Sequence, residues 1–405
     1  MKQKLLIIGA GREQVPAIER ARALGLTVLT TDINPAAPGA ALADHFYQAS
    51  TDDAPGNINI ARRAGINGVM TLSSETAVPT VAAVAKDLAL PALSPRSAML
   101  ATDKLAMKDA FLRHGVPTSP YRRIRDINEA HDFTVEHGFP VVIKPAVNSG
   151  QRGTSRVDDY TGLKSAVRKA FAHAPDQRVL IEVFVPGPEI NVTAVVEDTQ
   201  SHLISISERV TAAPPHFGIA VAHAAPAHLG TEDQAALRTA VQRATEAIEL
   251  RDGIVYPQFI IGPQGPCLLE IAARIPGGFM REVALGVSGI DLIDVAIAQA
   301  LGEREVLKRT TQHDIVDGLV VRFFTALDAD RLKSRPDKQR LAAVAAMPGI
   351  QAVHWQLDRA DPIPTLAHSG ARFAAIIATG ENREQAWARA EAASNYLLGG
   401  SDSSA

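Results

Sequence analysis

Residues 138–157 read GFPVVIKPAVNSGQRGTSRV. An apolar run ends in Lys144 and gives way to small, polar and glycine residues. A short apolar run bounded by turn formers predicts a buried strand. Pro145 ends that strand, so Lys144 projects at its mouth. The loop beyond it holds Ser149, Gly150, Gly153, Thr154 and Ser155. Glycines let backbone N–H groups come close to a phosphate, and hydroxyls add donors. A lysine beside such a loop contributes roughly 1.5–3 kcal/mol per charge-assisted hydrogen bond. The stretch fits an anion site, and it fits equally well a strand-end lysine beside a mobile hairpin. The rest of the chain has to decide between them.

Before this stretch the pattern is doubly wound. LLIIGA reads as a strand, GREQVPAIERARALG as a helix closed by Gly25, LTVLTTDIN as a strand ending in Asp32, and INGVMTLSS as a later strand. Strands alternating with helices imply a parallel sheet, with ligands at the carboxyl ends of the strands. The first turn, G-A-G-R-E-Q, is an incomplete dinucleotide fingerprint, with Gln14 at the third glycine's place and Asp32 where a ribose acid sits. An NAD-dependent oxidoreductase is therefore one reading of this part. A helical stretch, SPRSAMLATDKLAMKDAFLRHG, follows, with Ser94 and Pro95 as cap and first turn.

After residue 140 the period changes. VVIKPA, RVLIEVFV, EINVTAVVED, HLISISERV, GIVYPQFIIG and CLLEIAAR are strand-like, and PQGP joins the last two. A last region has strands in DGLVVRFFTAL and ARFAAIIATG and a helix in NREQAWARAEAASNYLL. The fold class expected is α/β and α+β: an N-terminal doubly wound parallel-sheet domain (1–92), a helical linker (93–136), an antiparallel central domain (137–303), a C-terminal domain (304–398) and a disordered tail (399–405).

Composition bounds the function. The 405 residues are 46% hydrophobic and 21% charged, with net charge −3, an ordinary globular balance that gives no sign of a nucleic-acid or membrane surface. A single cysteine, Cys267, rules out an internal disulfide and implies a reducing cytoplasm. No apolar run is long enough to span a bilayer.

Four stretches carry chemistry. In RVLIEVFVPGPEINV a carboxylate, Glu182, lies among apolar residues, where it needs a partner or a task. Glu182 and Val185 can flank a flat base, and Glu189 can accept from ribose hydroxyls; plain strand alternation also explains Glu182. In YPQFIIGPQGPCLLEIAARIPGGF, Gln258 and Glu270 fall on paired strands and offer oxygen to Mg²⁺, although they also read as an exposed polar pair. Arg274 follows, able to hold a carboxylate or acyl phosphate by two parallel bonds, ahead of the flexible loop containing Gly277 and Gly278. In ATDKLAMKDAF, Lys104 can reach phosphates from a helix, and Lys108 shares its face, though most helix lysines are simply solvated. Residues 211–229, TAAPPHFGIAVAHAAPAHL, contain His216 and His223, either of which can contact a substrate or a backbone carbonyl.

Taken in this order, over nearly the whole chain, these elements resemble the ATP-grasp superfamily of carboxylate–amine ligases, with a three-part architecture and a C-terminal part similar to the biotin-carboxylase-like branch. The resemblance implies that Lys104 and Lys144 bind the nucleotide phosphates and that residues 148–155 cover them. It places Glu182 and Val185 at the adenine hinge and Glu189 at the ribose. Glu270 then bridges the metal ions, and Arg274 is the arginine of an E-x-N-x-R motif. The chain departs from that pattern twice. Gln258 stands where a carboxylate is usual, as it does in carbamoyl-phosphate synthetases, and Ala272 replaces the motif's asparagine. Residues 211–229 are similar to the acceptor segment of dipeptide-forming amino-acid ligases, with His223 the matching histidine and His216 a second contact. The resemblance implies ATP with Mg²⁺ or Mn²⁺, a small carboxylate and a small amine as substrates, an acyl phosphate between them, and a homodimer. A bicarbonate-activating carboxylase and a nucleotide-binding protein without catalysis are the alternatives.

Overall fold

Four parallel strands open the chain, in the order His45–Gln48, Thr27–Asp32, Lys4–Ile8, Gly68–Met70. Leu5 to Ile8 are all fully buried, because helices cover both faces of the sheet and each strand position needs an apolar side chain. The structure, a computed structural model, describes residues 2–148, 150–214, 216–309, 313–358 and 360–399. The first turn is closed from within. The Gln14 side chain packs against Gly9, and its Nε2 donates to the Leu72 carbonyl at 2.5 Å. Asp32 accepts from the Ala10 and Asn34 N–H groups, both at 2.9 Å. The two features that suggested a dinucleotide therefore serve the turn itself.

The helical stretch is two helices, Pro95–Thr102 and Lys104–Arg113. Asp103 takes extended backbone between them and caps the second, accepting from Leu105 and Ala106 N–H. The break puts Lys104 at a helix start, where its side chain reaches sideways into the molecule. Ser94 caps the first helix by accepting from Ser97 N–H at 3.0 Å.

Two antiparallel sheets follow. The smaller runs Tyr121–Ile124, Val179–Val183, Val141–Pro145, Ser155–Val157 and packs under helices Ile127–His137 and Tyr160–Ala172. The larger has eight strands, in the order Gly265–Ala272, Gly253–Gly262, Glu189–Glu197, Gln200–Thr211, Ala220–Ala225, Gly318–Phe324, Ala374–Gly380, Ile350–Trp355. The strands on either side of residue 304 thus lie in one sheet. One face of its strand Glu189–Glu197 is wholly apolar and the other carries Glu189, Asn191 and Thr193 before Val195, and both faces are covered. Val192, Ala194 and Val196 pack toward helix Thr231–Ala247, and Val195 toward helix Leu292–Ala300. Burying each such valine stabilises by roughly 1.5–3 kcal/mol. The N-terminal sheet joins this body at the Leu72–Ile275 bridge, reinforced by Ser73 N–H donating to the Ile275 carbonyl at 3.0 Å. Among the described residues no single helix is long and apolar enough to cross a membrane.

Candidate active site

The edges of the two antiparallel sheets enclose a cleft whose floor is the Lys144 strand. Glu182 lies opposite Val142 on the paired strand, which puts Lys144, two residues along, on the same face. Lys144 Nζ is 2.5 Å from Glu182 Oε1, and Lys108 Nζ is 2.8 Å from Oε2. Ser119 Oγ also donates to Oε2, at 3.0 Å. Lys108 is wholly buried and donates to Thr118 Oγ1 at 2.7 Å. Burial alone raises a carboxyl pKa; here the two ammonium groups overcome it and hold Glu182 at about 2. Burial draws Lys108 below the usual lysine range, while Glu182 and Glu270 bring Lys144 above it in spite of its burial. One sequence expectation changes accordingly, while Glu182 lines the cleft as the counter-ion of two lysines. Lys108 is a buried partner, although its face of the helix suggested solvent.

Above this ion group the first cavity has a flat apolar slot formed by Val142, Phe184, Val185, Ile260 and Leu269. Glu189 borders it and pairs with buried Arg209. The Pro186–Gly187–Pro188 turn delivers Glu189. A Cβ on Gly187, whose φ is +146°, would stand 2.1 Å from the Ile261 carbonyl oxygen, so only glycine lets the two strands approach there. At the other end of the slot Lys104 Nζ donates to the Asn148 carbonyl at 2.7 Å and lies 3.6 Å from Glu270 Oε2.

The loop after Lys144 lies across the cleft. Gly150 accepts from Ser369 N–H at 3.2 Å through its carbonyl, and the Gln151 side chain rests against Gly218. Gly150, Gln151 and Thr154 line the cavity. Gly153 and Ser155, expected there, do not. Gly153 is packed so that a Cβ would be 2.7 Å from the Cβ of His173, and Ser155 starts a strand paired with Ile143. Ser149 lies outside the described residues.

Gln258 and Glu270 face each other across their hairpin. Asn191, missed in the sequence, sits opposite Gln258 on the other side and accepts from its Nε2 at 3.1 Å. Glu270 is half-buried, and desolvation alone would raise its pKa; Lys104, Lys144 and Arg209 bring it below the usual value, so it is ionised. No group of three or more His, Cys, Asp or Glu side chains gathers around a metal position among the described residues. One carboxylate with amide oxygens beside it fits Mg²⁺ shared with phosphate oxygens, because that ion keeps most of its shell from water and phosphate. Ala272 adds no donor.

A second cavity adjoins the first, and Lys104, Gln258 and Glu270 line both. Its far wall holds His223, Arg274, Gly277, Gly278 and Arg372. Arg274 Nε and Nη2 donate to a single oxygen of Glu75, at 2.9 and 2.6 Å. Glu75 comes from the loop after strand Gly68–Met70, at the carboxyl edge of the parallel sheet. His223 is buried, with its ring edge-on to Phe323 at 5.3 Å. With Asn191 Oδ1 engaged by Gln258, Asn191 Nδ2 donates to His223 Nδ1 at 3.2 Å, which leaves Nε2 as the N–H toward the cavity. Burial, then Arg372 and Arg209, push this histidine well below its usual pKa, so it is neutral. His216 borders neither cavity, because its Nδ1 is bonded to the Leu366 carbonyl at 2.9 Å. Besides Asn191, sequence reasoning missed Glu75, Arg209 and Arg372. Arg209 shares its strand face with Ser205 and Ser207, so alternation reads it as a wet-face arginine and gave no sign of its burial.

Residues 103–307 match the family model of the carbamoyl-phosphate synthase L chain ATP-binding domain. An uncharacterized protein, y4rH, of Sinorhizobium fredii is 27% identical over 324 residues, covering 78% of this chain and 65% of that protein. A D-alanine–D-alanine ligase of Streptomyces griseus is 29% identical over 193 residues, covering 43% of this chain and 48% of the ligase. The chain thus spans less than two thirds of the length of either relative. Among solved structures, the L-amino acid ligase from Bacillus licheniformis superposes with a TM-score of 0.81 at 21% identity, covering 98% of both chains.

Proposed function

The chain belongs to the ATP-grasp superfamily, through the family of the carbamoyl-phosphate synthase L chain ATP-binding domain, and on that premise we propose that it is a carboxylate–amine ligase forming an amide or peptide bond with release of ADP and phosphate. The observation that carries the reading is the wall shared by the two cavities. Lys104, Gln258 and Glu270 stand between a slot shaped for a base and ribose and a chamber lined with arginine and an imidazole N–H. A group leaving the first cavity arrives in the second between these side chains.

A carboxylate resists attack because addition would put more charge on an anion, and phosphorylation removes that obstacle. In this reading the adenine lies in the slot beside Val185, the ribose hydroxyls bond Glu189, and Lys144 and Lys104 take the phosphates. Lys104 leaves the Asn148 carbonyl to do so. The acid's oxygen attacks the γ-phosphorus, the bond to the β–γ bridging oxygen breaks, and ADP is the leaving group. Glu270 with the amide oxygen of Gln258 would hold Mg²⁺, which would neutralise phosphate charge. Arg274, oriented by Glu75, stabilises the acyl phosphate and then the oxyanion formed as the amine adds. Phosphate leaves as the amide forms. His223 is neutral with Nε2–H facing inward, so it donates a hydrogen bond and does not take the amine's proton; the departing phosphate is the base. The loop at 148–155 keeps water from the acyl phosphate. The substrates are small molecules, at least one an amino acid, in a cytoplasm that keeps Cys267 a thiol, and the active form is a homodimer.

The test is ADP release from Mg-ATP over a panel of acids and amines, singly and in pairs. Release that requires one acid and one amine establishes the ligase. Release with bicarbonate alone moves the chain to carboxylation, and AMP in place of ADP sinks the acyl phosphate.

A further inference from the structure

Arg209 pairs with Glu189 and Arg274 with Glu75, yet a third arginine of the site has no acid partner. Among the described residues no carboxylate lies within salt-bridge distance of Arg372. Its Nε donates to the Ser369 carbonyl at 2.8 Å, and its guanidinium carbon sits 4.0 Å over the ring of Phe323. These two contacts fix the plane of the group and leave both terminal nitrogens free. Both point to one place. A Cβ built on Gly278 would be 3.4 Å from Nη1, 3.4 Å from Nη2 and 3.6 Å from His223 Nε2. The bare face of Gly278 thus lies against all three nitrogens, and Gly278, His223 and Arg372 line the same cavity. Among the described residues neither terminal nitrogen of Arg372 has a hydrogen-bond acceptor within the molecule. Half-buried, the guanidinium is held down to about 10 by desolvation and by Arg209, while Glu13, beyond salt-bridge distance, only partly offsets them. A charge kept this way without a counter-ion costs stability until an anion arrives.

We propose that Arg372, with His223 Nε2–H, binds the carboxylate of the amine substrate beside Gly278, so that the acceptor is an amino acid and not a plain amine. The proposal rests on the ligase reading for the word acceptor. Arg372 lines the second cavity and not the first, whereas the reacting carboxylate must meet the phosphates at the wall of Lys104, Gln258 and Glu270. The carboxylate at Arg372 is therefore one that survives the reaction. The new bond joins the donor's carboxyl carbon to the acceptor's nitrogen, phosphate departs, and the acceptor's own carboxylate is unchanged. Planar two-point pairing suits arginine and a carboxylate. Gly278 sets how much room is left beside the acceptor's α-carbon.

The experiment compares L-amino acids with their α-carboxamides and decarboxylated amines as acceptors, using the full chain and its R372Q and R372K variants. For the wild type, kcat/KM should fall on the order of 100-fold when the carboxylate is removed. R372Q should raise the acceptor KM by a similar factor, leave the KM for ATP and for the donor acid in place, and abolish the preference for acids over amides. R372K should recover part of it. Equal use of amines and amino acids by the wild type overturns the proposal, as does a preference that survives in R372Q. A shift in the donor's KM alone also overturns it, since the carboxylate would then belong to the donor. Calorimetric titration of each amino acid and its amide into the MgADP-loaded protein separates the two readings. If no pair of substrates releases ADP, but amino acids bind and lose affinity in R372Q, the ligase reading falls and the carboxylate site stands. If R372Q does not fold, the acid-against-amide comparison on the wild type and R372K decides.

Discussion

Lys144 Nζ lies 2.5 Å from Glu182 Oε1 across two neighbouring strands, at the floor of the first cavity. The pair ties the residue that precedes the glycine-bearing loop to the strand that leads into the apolar lining of Phe184 and Val185. It also makes the site's foundation electrostatic, since Lys108 bonds the other oxygen from wholly buried surroundings.

Glu182→Gln should therefore destabilise the whole protein. It leaves two buried ammonium groups with one neutral partner, a change that costs about 3–5 kcal/mol. The loss depends on pH with a known sign. Glu182 is held at about 2 when folded against roughly 4.3 when unfolded. Its ionisation thus stabilises the native state fully above about pH 4.3, and the stabilisation fades as pH falls toward 2. Urea denaturation of wild type and E182Q should show a constant gap from pH 7 to 5 that narrows below. A gap that does not change down to pH 3 would remove the two-lysine account. Lys108→Met, which leaves Glu182 paired with Lys144, should cost less than E182Q.

The Glu75–Arg274 contact joins the parallel sheet to the chemistry. Arg274→Ala should lower kcat by on the order of 10²–10³, the usual cost of a lost oxyanion donor, with little change in the KM for ATP. Arg274→Lys should recover little, because an ammonium cannot reproduce the planar fork. Glu75→Ala leaves the guanidinium present and unaimed, so its kcat should fall by about tenfold. If E75A is as active as wild type, Arg274 is positioned by something else.

The sequence made the fold legible where period and punctuation agree. Leu5–Ile8 is a continuous apolar run because helices cover both faces of its sheet, and Gln258 and Glu270 lie opposite each other in a hairpin whose turn is plain. Asp103 was less visible. It interrupts an otherwise helical pattern by capping the second helix with its own side chain, a choice made by tertiary contact with Arg178. The site was legible in residue type and not in pairing. Glu182 stood out as a carboxylate among apolar residues, but its partners Lys108 and Lys144 come from different elements, and no local pattern joins them. Arg372 and Glu75 meet the cavity only because the C-terminal strands extend the central sheet and the Leu72–Ile275 bridge seats the N-terminal one.

His223 should stay neutral through the working range. Its folded pKa lies well below its ordinary value because of burial and of two neighbouring guanidinium groups. The neutral form stabilises the native state above about pH 6.5, and this contribution is lost as pH falls below that value. The His223 ring proton resonance should not move between pH 8 and 6, and His223→Asn should leave the pH–rate profile unshifted while raising the acceptor KM. An inflection near neutrality that disappears in H223N would make His223 a proton acceptor and contradict the assignment of Nε2 as the N–H.

The metal position is the last point at which one residue decides the behaviour. Among the described residues Glu270 is the only carboxylate lining both cavities, and Gln258 faces it with a neutral amide. Replacing Gln258 by Glu adds a charged oxygen opposite one already ionised. With Mg²⁺ bound, the pair should hold the ion more tightly and lower the Mg²⁺ concentration for half-maximal ATP binding by about tenfold. Without Mg²⁺ the two carboxylates repel, so one must take up a proton or the hairpin must open. Q258E should then melt below wild type in EDTA and recover when Mg²⁺ is added, while wild type changes little in either condition. Ala272→Asn restores an amide oxygen on the same strand two residues away and should tighten Mg²⁺ binding without the EDTA penalty, since it adds no charge. If neither variant alters the Mg²⁺ dependence of nucleotide binding, the ion is held by other groups, and the Gln258–Glu270 pair serves only to align the hairpin.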